Sequence, residues 1–210
     1  MDETDLDTFT LKMGEPGPKE EEFFARRRAL GLGVGLDENG KLVHQKGPVF
    51  IDFVASSLSE NSWPVEVGVS WLEGNRVETH SRLIQPRPDW PEEDWDIEGA
   101  KLHQVPRSDL NNAAPADAVK EWLTKTVAGR ALVSDAPSFD QRWLNRLLNA
   151  TGPKILDFDE LARVAFSENG ALNPGQLHLV YKTLARRDRL HRAGETAANL
   201  CRAWQAGSRR

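Results

Sequence analysis

Pro48-Val-Phe-Ile-Asp-Phe-Val-Ala55 is a short apolar run bounded by turn residues, the pattern of a buried central strand. Val65 to Trp71 alternates apolar and polar positions, and Arg76 to Ile84 is also strand-like. These three segments predict an antiparallel meander. Helical spacing takes over further along the chain. Asp96 to His103 predicts a short helix, and Pro115 to Val127 a longer one with Ala118, Val119, Trp122 and Leu123 on its apolar side. Ala131 to Val133 predicts a strand, Phe139 to Leu148 an amphipathic helix, and Lys154 to Phe158 another strand. Asp159 to Phe166, Gly175 to Ala185 and Glu195 to Trp204 predict helices. Three strands, then helices alternating with strands, then helices alone predict an α/β domain with a mixed five-stranded sheet flanked by helices.

The stretch before residue 46 follows other rules. Residues 1–22 hold eight acids against two lysines, a net charge of −6, and include Gly14, Pro16, Gly17 and Pro18. Residues 1–17 are therefore expected to be a disordered acidic tail. Lys19 to Leu30 predicts a short helix with Phe23, Phe24 and Leu30 on one side, and Gly31 to Gly40 reads as a glycine-rich linker. The folded domain is expected over residues 46–210. Its end is basic: residues 182–210 carry eight Lys or Arg against two acids, net +6.

Composition narrows the function classes. The 210 residues carry 27 Lys or Arg against 32 Asp or Glu, so the overall charge of −5 does not point to nucleic acid. Cys201 is the single cysteine, which excludes an intrachain disulfide and a Cys-rich zinc site. No apolar run reaches the roughly 20 residues of a membrane span. The acidic start, Met1-Asp2-Glu3-Thr4-Asp5, lacks the order of a secretory signal, so the expected compartment is the cytoplasm.

Three places invite chemistry. Asp52 interrupts the apolar strand, where a carboxylate is costly unless it is paired or binds a metal. Ser134-Asp-Ala-Pro-Ser-Phe-Asp140 marks a strand end and a helix start, and Asp140 falls in that helix's first turn. Leu190-His-Arg-Ala-Gly-Glu-Thr196 puts a histidine among arginines just before a helix. Each has a plain structural reading alone: a backbone-bonded strand-end Asp, an acid favouring a helix N-terminus, an exposed loop His.

Taken in order, the three resemble the motif set of the DEDD exonucleases of the ribonuclease H-like fold, in the branch with a catalytic histidine (DEDDh). Phe50-Ile-Asp-Phe-Val-Ala-Ser-Ser-Leu58 resembles the first motif, Asp-x-Glu. Ser134 to Asp140 resembles the second, with a Phe-Asp pair opening a helix, and His191 to Thr196 the third, His-x-x-x-x-Asp. Ile97 to His103 is similar to the segment between the first two. The resemblance spans about residues 48 to 206. It implies a 3′–5′ exonuclease acting on short or single-stranded RNA or DNA through two Mg²⁺ or Mn²⁺ ions. It also implies Asp52 and Asp140 as metal ligands and His191 as the general base. Ser56, Ser57 and Leu58 would meet the terminal nucleotide. Self-association as a homodimer stays open.

The departures matter as much. Val54 stands where the pattern has Glu, and Thr196 where it has Asp. Val cannot ligate a hard cation, and Thr offers only a neutral hydroxyl. Three acids around one ion have become one. Without a metal to hold its water, His191 has little to act on. Glu195, one residue before the expected acid, is a candidate replacement, although a helix turns about 100° per residue and would point it elsewhere. Glu60 and Glu66 are weaker candidates. The expectation is an impaired nuclease, or a non-catalytic nucleic-acid-binding or protein-interaction module on the same fold. Of the seven tryptophans, Trp71, Trp122, Trp143 and Trp204 fall on apolar faces and read as core. Trp63, Trp90 and Trp95 lie in loops, where packing on the domain edge competes with stacking on single-stranded bases.

Overall fold

The structure, a computed structural model, describes residues 34–36, 42–44, 46–168, 171–186 and 191–208. The expected tail and the helix over Lys19 to Leu30 lie outside them. Two short strands, β1 (Val34–Leu36) and β2 (Leu42–His44), pair antiparallel within the stretch read as a linker. Asn39-Gly40 between them is the sequence signal of a hairpin that the linker reading passed over.

The main sheet is built on β3 (Val49–Ala55), which pairs antiparallel with β4 (Pro64–Glu73), itself paired with β5 (Arg76–Gln85). Gly74 (φ 60°) supplies the positive φ of the tight β4–β5 turn. On the other side β3 pairs in parallel with β7 (Leu132–Ser134), and β7 with β8 (Ile155–Asp157). The expected mixed sheet gains a sixth strand, β6 (Ala114–Pro115), two residues long and parallel to the end of β5. A strand so short leaves no alternating pattern to read. The order is β6-β5-β4-β3-β7-β8.

Five helices were legible to within a few residues, and the short one before them as well. They are α1 (Ile97–His103), α2 (Ala116–Val127), α3 (Pro137–Leu148), α4 (Phe158–Ala165), α5 (Pro174–Leu184) and α6 (Ala193–Ser208). A small hairpin, β9 (Ser167–Glu168) with β10 (Ala171–Leu172), separates α4 from α5.

Strand alternation sorts the core into two clusters. Val49, Ile51 and Phe53, with Val65, Val67 and Val69, pack against Val119 and Leu123 of α2 and Trp143, Leu144 and Leu147 of α3. Phe50 and Val133 face the other way, onto Phe158 and Leu161 of α4, Val180 of α5, and Leu200 and Trp204 of α6. The Phe50 ring lies 5.8 Å from Phe158 and 5.9 Å from Trp204. Full burial of such a side chain stabilises by roughly 1.5–3 kcal/mol. Asp52, two residues from Phe50, takes the α6 side by the same alternation.

The α6 helix lies directly on the sheet. A Cβ on Gly68 of β4 would stand 2.2 Å from the Ala193 carbonyl carbon, and one on Gly194 would stand 3.2 Å from Ser81. Small residues at this crossing bring the start of α6 down to the middle of β3, where Asp52 lies opposite Gly68.

Candidate functional site

A cleft of about 450 Å³ opens where the end of β3, α1, the β7–α3 turn and the start of α6 meet. Asp52, Val54, His191 and Thr196 all line it, although 137 residues or more separate the two pairs in sequence. The register of β3 against β4 slips between Val54 and Ala55, which re-aims the strand at the cleft. Ser57 and Leu58 line the cleft as well, and Leu58 is 74% exposed. Arg142 of α3 holds the loop by donating to the Leu58 carbonyl (3.3 Å), and Arg146 donates to that of Asn61.

Ser56 is placed differently. It is buried, its amide donates to the Trp63 carbonyl (2.9 Å), and its hydroxyl accepts from the Trp63 N–H (3.0 Å). Its carbonyl accepts from the Asp96 amide (2.8 Å), which pins the start of α1 to the end of β3. Ser56 therefore builds the wall and does not line the cleft.

Asp140 lies beside the cleft with its carboxyl turned inward. It is 1% exposed, accepts from the Phe53 amide (3.1 Å) and receives the Ser134 hydroxyl. Burial pushes its pKa up from the usual carboxylate range to about 7, against the lowering pull of the Ser134 and Phe53 hydrogen bonds. The neighbouring Asp135 charge adds to the rise. Asp135, not Asp140, is the acid of this turn that lines the cleft. Its place straight after the last strand residue was the available signal.

The His191 segment is held by a buried ion pair. Glu66 of β4, cross-strand from Val54, is 1% exposed and accepts two bonds from the Arg192 guanidinium (2.8 and 3.0 Å). It also accepts from the Ala193 amide (3.2 Å), one of the orphan N–H groups at the start of α6. Glu66, considered from sequence as a substitute ligand, is committed to this clamp. Glu195 faces solvent 3.9 Å from Arg202, and Glu60 is exposed; neither lines the cleft.

His103, which the sequence reading left without a role, lines the cleft from the end of α1. It is 5% exposed, and its ring meets Trp95 edge-on at 6.0 Å. Nδ1 accepts from the Val105 amide (3.2 Å), so the ring proton sits on Nε2. That N–H is buried without a partner among the described residues. Burial, with the Arg192 charge, pushes the His103 pKa down and keeps the ring neutral.

The donors do not fit the two divalent ions that the motif resemblance implies. Among the described residues no three His, Cys, Asp or Glu side chains come together to hold one ion. Asp52 reaches the cleft, Asp140 is turned away, and Val54 and Thr196, where the motif resemblance implies acids, supply no carboxylate. Hard cations of this kind take six or more oxygens.

The loop tryptophans pack as a group. Trp63 is fully buried, with Trp90 stacked on it at 6.0 Å and Trp95 at 5.8 Å, and its Nε1 donates to the Pro91 carbonyl. Arg107 lies over Trp63 and Trp95, and Arg87 over Trp90. Edge packing accounts for Trp63 and Trp90. Trp71 and Trp122, expected in the core, are half-buried on its border. Among the described residues no helix is long and apolar enough to cross a membrane.

No protein-family model matches the sequence, and no curated protein does. Solved structures do match. A 3′-exonuclease, described for 3′-end specific recognition of histone mRNA stem-loop, superposes with a TM-score of 0.53 at 15% identity, over 75% of this chain and 79% of that one. Cell-death related nuclease 4 gives 0.52 at 16% identity, over 75% of this chain. This chain spans 62% of that nuclease's length. At these identities the likeness is one of fold, and the fold is the ribonuclease H-like fold that these exonucleases share.

Proposed function

We propose that this chain is a member of the DEDD exonuclease group, histidine branch, whose cleft receives the 3′ end of single-stranded RNA or DNA while hydrolysis is strongly impaired. The observation that carries this reading is the company Asp52 and His191 keep. Val54 and Thr196 line the same cleft, at the motif positions where acids would hold the water-activating ion. Phosphodiester cleavage by two metals needs both ions in fixed places, so loss of two of the four acids costs several orders of magnitude in rate. Mg²⁺ and Mn²⁺ bind feebly to the free protein, and substrate phosphate supplies part of the coordination when nucleic acid is present. His191 keeps a position from which it orients water.

A 3′-labelled oligonucleotide tests both halves. Its binding is followed by fluorescence anisotropy, and release of labelled mononucleotide is followed with Mg²⁺ and with Mn²⁺. Binding with little or no release is the expected result. Brisk metal-dependent release would overturn the impaired site, and absence of binding would overturn the nucleic-acid reading.

A second reading, a protein-interaction module, draws on the rim of the cleft. Leu58 and Leu102, which line it, are 74% and 63% exposed. Apolar side chains gathered around a concavity are commoner at interaction sites than on bare surface.

A further inference from the structure

We propose that Arg142 and Arg146 of α3 form a phosphate track beside the cleft, holding the backbone of a single strand whose 3′ end enters. The inference rests on the nucleic-acid reading and deepens it, because it names the contacts that supply the strand's electrostatic affinity.

The cleft itself is short of cations. Asp52, Asp96, Glu98 and Asp135 line it, and no lysine or arginine does among the described residues. The phosphates behind a bound 3′ end therefore need their positive partners outside the lining. Many arginines are already held by an acid. Arg76, Arg87, Arg107, Arg130, Arg192 and Arg202 each pair with a carboxylate.

Arg142 and Arg146 are different. They stand four residues apart on α3, a spacing that puts them side by side on one helix face. Arg142 Nη2 donates to the Leu58 carbonyl (3.3 Å), and Arg146 Nη2 donates to the Asn61 carbonyl. A carbonyl orients a guanidinium without cancelling its charge, and arginine stays protonated. Neither pairs with a carboxylate among the described residues, and Glu60, exposed in the same loop, joins neither. Arg142 is also short of acceptors. Its Nε is buried without a partner, and Nη1 has none among the described residues. Both guanidiniums thus keep a full charge, fixed in direction by a neutral loop.

The surroundings suit a single strand. The Arg142 guanidinium lies 5.3 Å over the Phe139 ring and 5.6 Å over that of Trp143. Trp143 and Leu58 line the cleft, so Arg142 stands beside it and Arg146 one turn farther along α3. Phe139 is 40% exposed. An exposed ring next to a guanidinium offers a base its stacking partner and the backbone its cation, the combination that serves sequence-tolerant single-strand binding.

The test is binding of a 5′-labelled ten-nucleotide oligothymidylate to the full chain. Fluorescence anisotropy follows it over a range of salt concentrations, with chelator present so that nothing is cleaved. Arg142→Gln with Arg146→Gln should weaken binding about tenfold and make its logarithmic salt dependence shallower by roughly 1.4, two contacts at about 0.7 each. Arg142→Lys with Arg146→Lys keeps both charges and should keep most of the affinity and the slope. Support of the Leu58 loop alone would not tell lysine from glutamine in this way. Thermal unfolding of each variant shows that the fold survives. A glutamine pair with unchanged affinity and slope, or lysine and glutamine pairs that lose binding equally, would overturn the track while the nucleic-acid reading stands. An unaltered chain that binds no oligonucleotide would overturn both.

Discussion

Gly68 of β4 and Ala193 of α6 touch backbone to backbone: a Cβ on Gly68 would lie 2.2 to 2.3 Å from the Ala193 carbonyl and the Gly194 amide. Backbone atoms cannot swing aside as a side chain can. Gly68→Ala should therefore lift the start of α6 from the sheet and cost about 3 kcal/mol or more. Urea unfolding measures the cost. Because Gly68 lies cross-strand from Asp52, the change should also disturb the His191 side of the cleft, seen as altered NMR shifts for Thr196.

Breaking the Glu66–Arg192 pair should be expensive on one side and cheaper on both. Arg192→Leu leaves the Glu66 carboxylate, 1% exposed, with the Ala193 amide as its donor among the described residues and should cost about 3 kcal/mol, at the low end for buried pairs because the Arg192 side chain is 32% exposed. Adding Glu66→Leu should recover part of that loss. A double-mutant cycle by urea unfolding checks both statements.

Asp140 makes stability depend on pH. Its folded pKa of about 7 lies above the ordinary 3.8, so the native state holds a proton that the unfolded chain releases. Its contribution is complete below pH 3.8 and is lost as pH rises toward 7, at roughly 1.4 kcal/mol per pH unit. Asp140→Asn keeps an acceptor for the Phe53 amide and should flatten this slope. Thermal unfolding of both proteins across that window is the measurement.

Val54→Glu with Thr196→Asp returns two acids to one cleft. Mg²⁺-dependent release of mononucleotide should rise at least about a hundredfold in the double variant. The gain should exceed the product of the two single gains, because both acids serve the same ion. A double variant no more active than the starting chain would mean that Asp140, as buried here, cannot complete the site.

Much of the cleft was legible because strand and helix periods carry position. Asp52, Val54, His191 and Thr196 all line one cleft, and Asp140 does not. What escaped depended on side-chain direction. A helix's first turn can send Asp140 toward the cleft or into the core, and only the Phe53 amide and Ser134 hydroxyl decide. Glu66 looked like a stray acid because its partner Arg192 is 126 residues away. His103 and Trp63 gave no local sign of burial: one ends a helix and the other sits in a loop.

The stacked Trp63, Trp90 and Trp95 have an optical consequence. Indoles 5.8 to 6.0 Å apart couple their electronic transitions, so this cluster should dominate the near-ultraviolet circular dichroism. Trp95 also touches His103, which lines the cleft. Anything that enters and pairs with His103 shifts the ring against which Trp95 rests. The chain thus carries a built-in, label-free chromophore one contact away from its cleft, able to report occupancy.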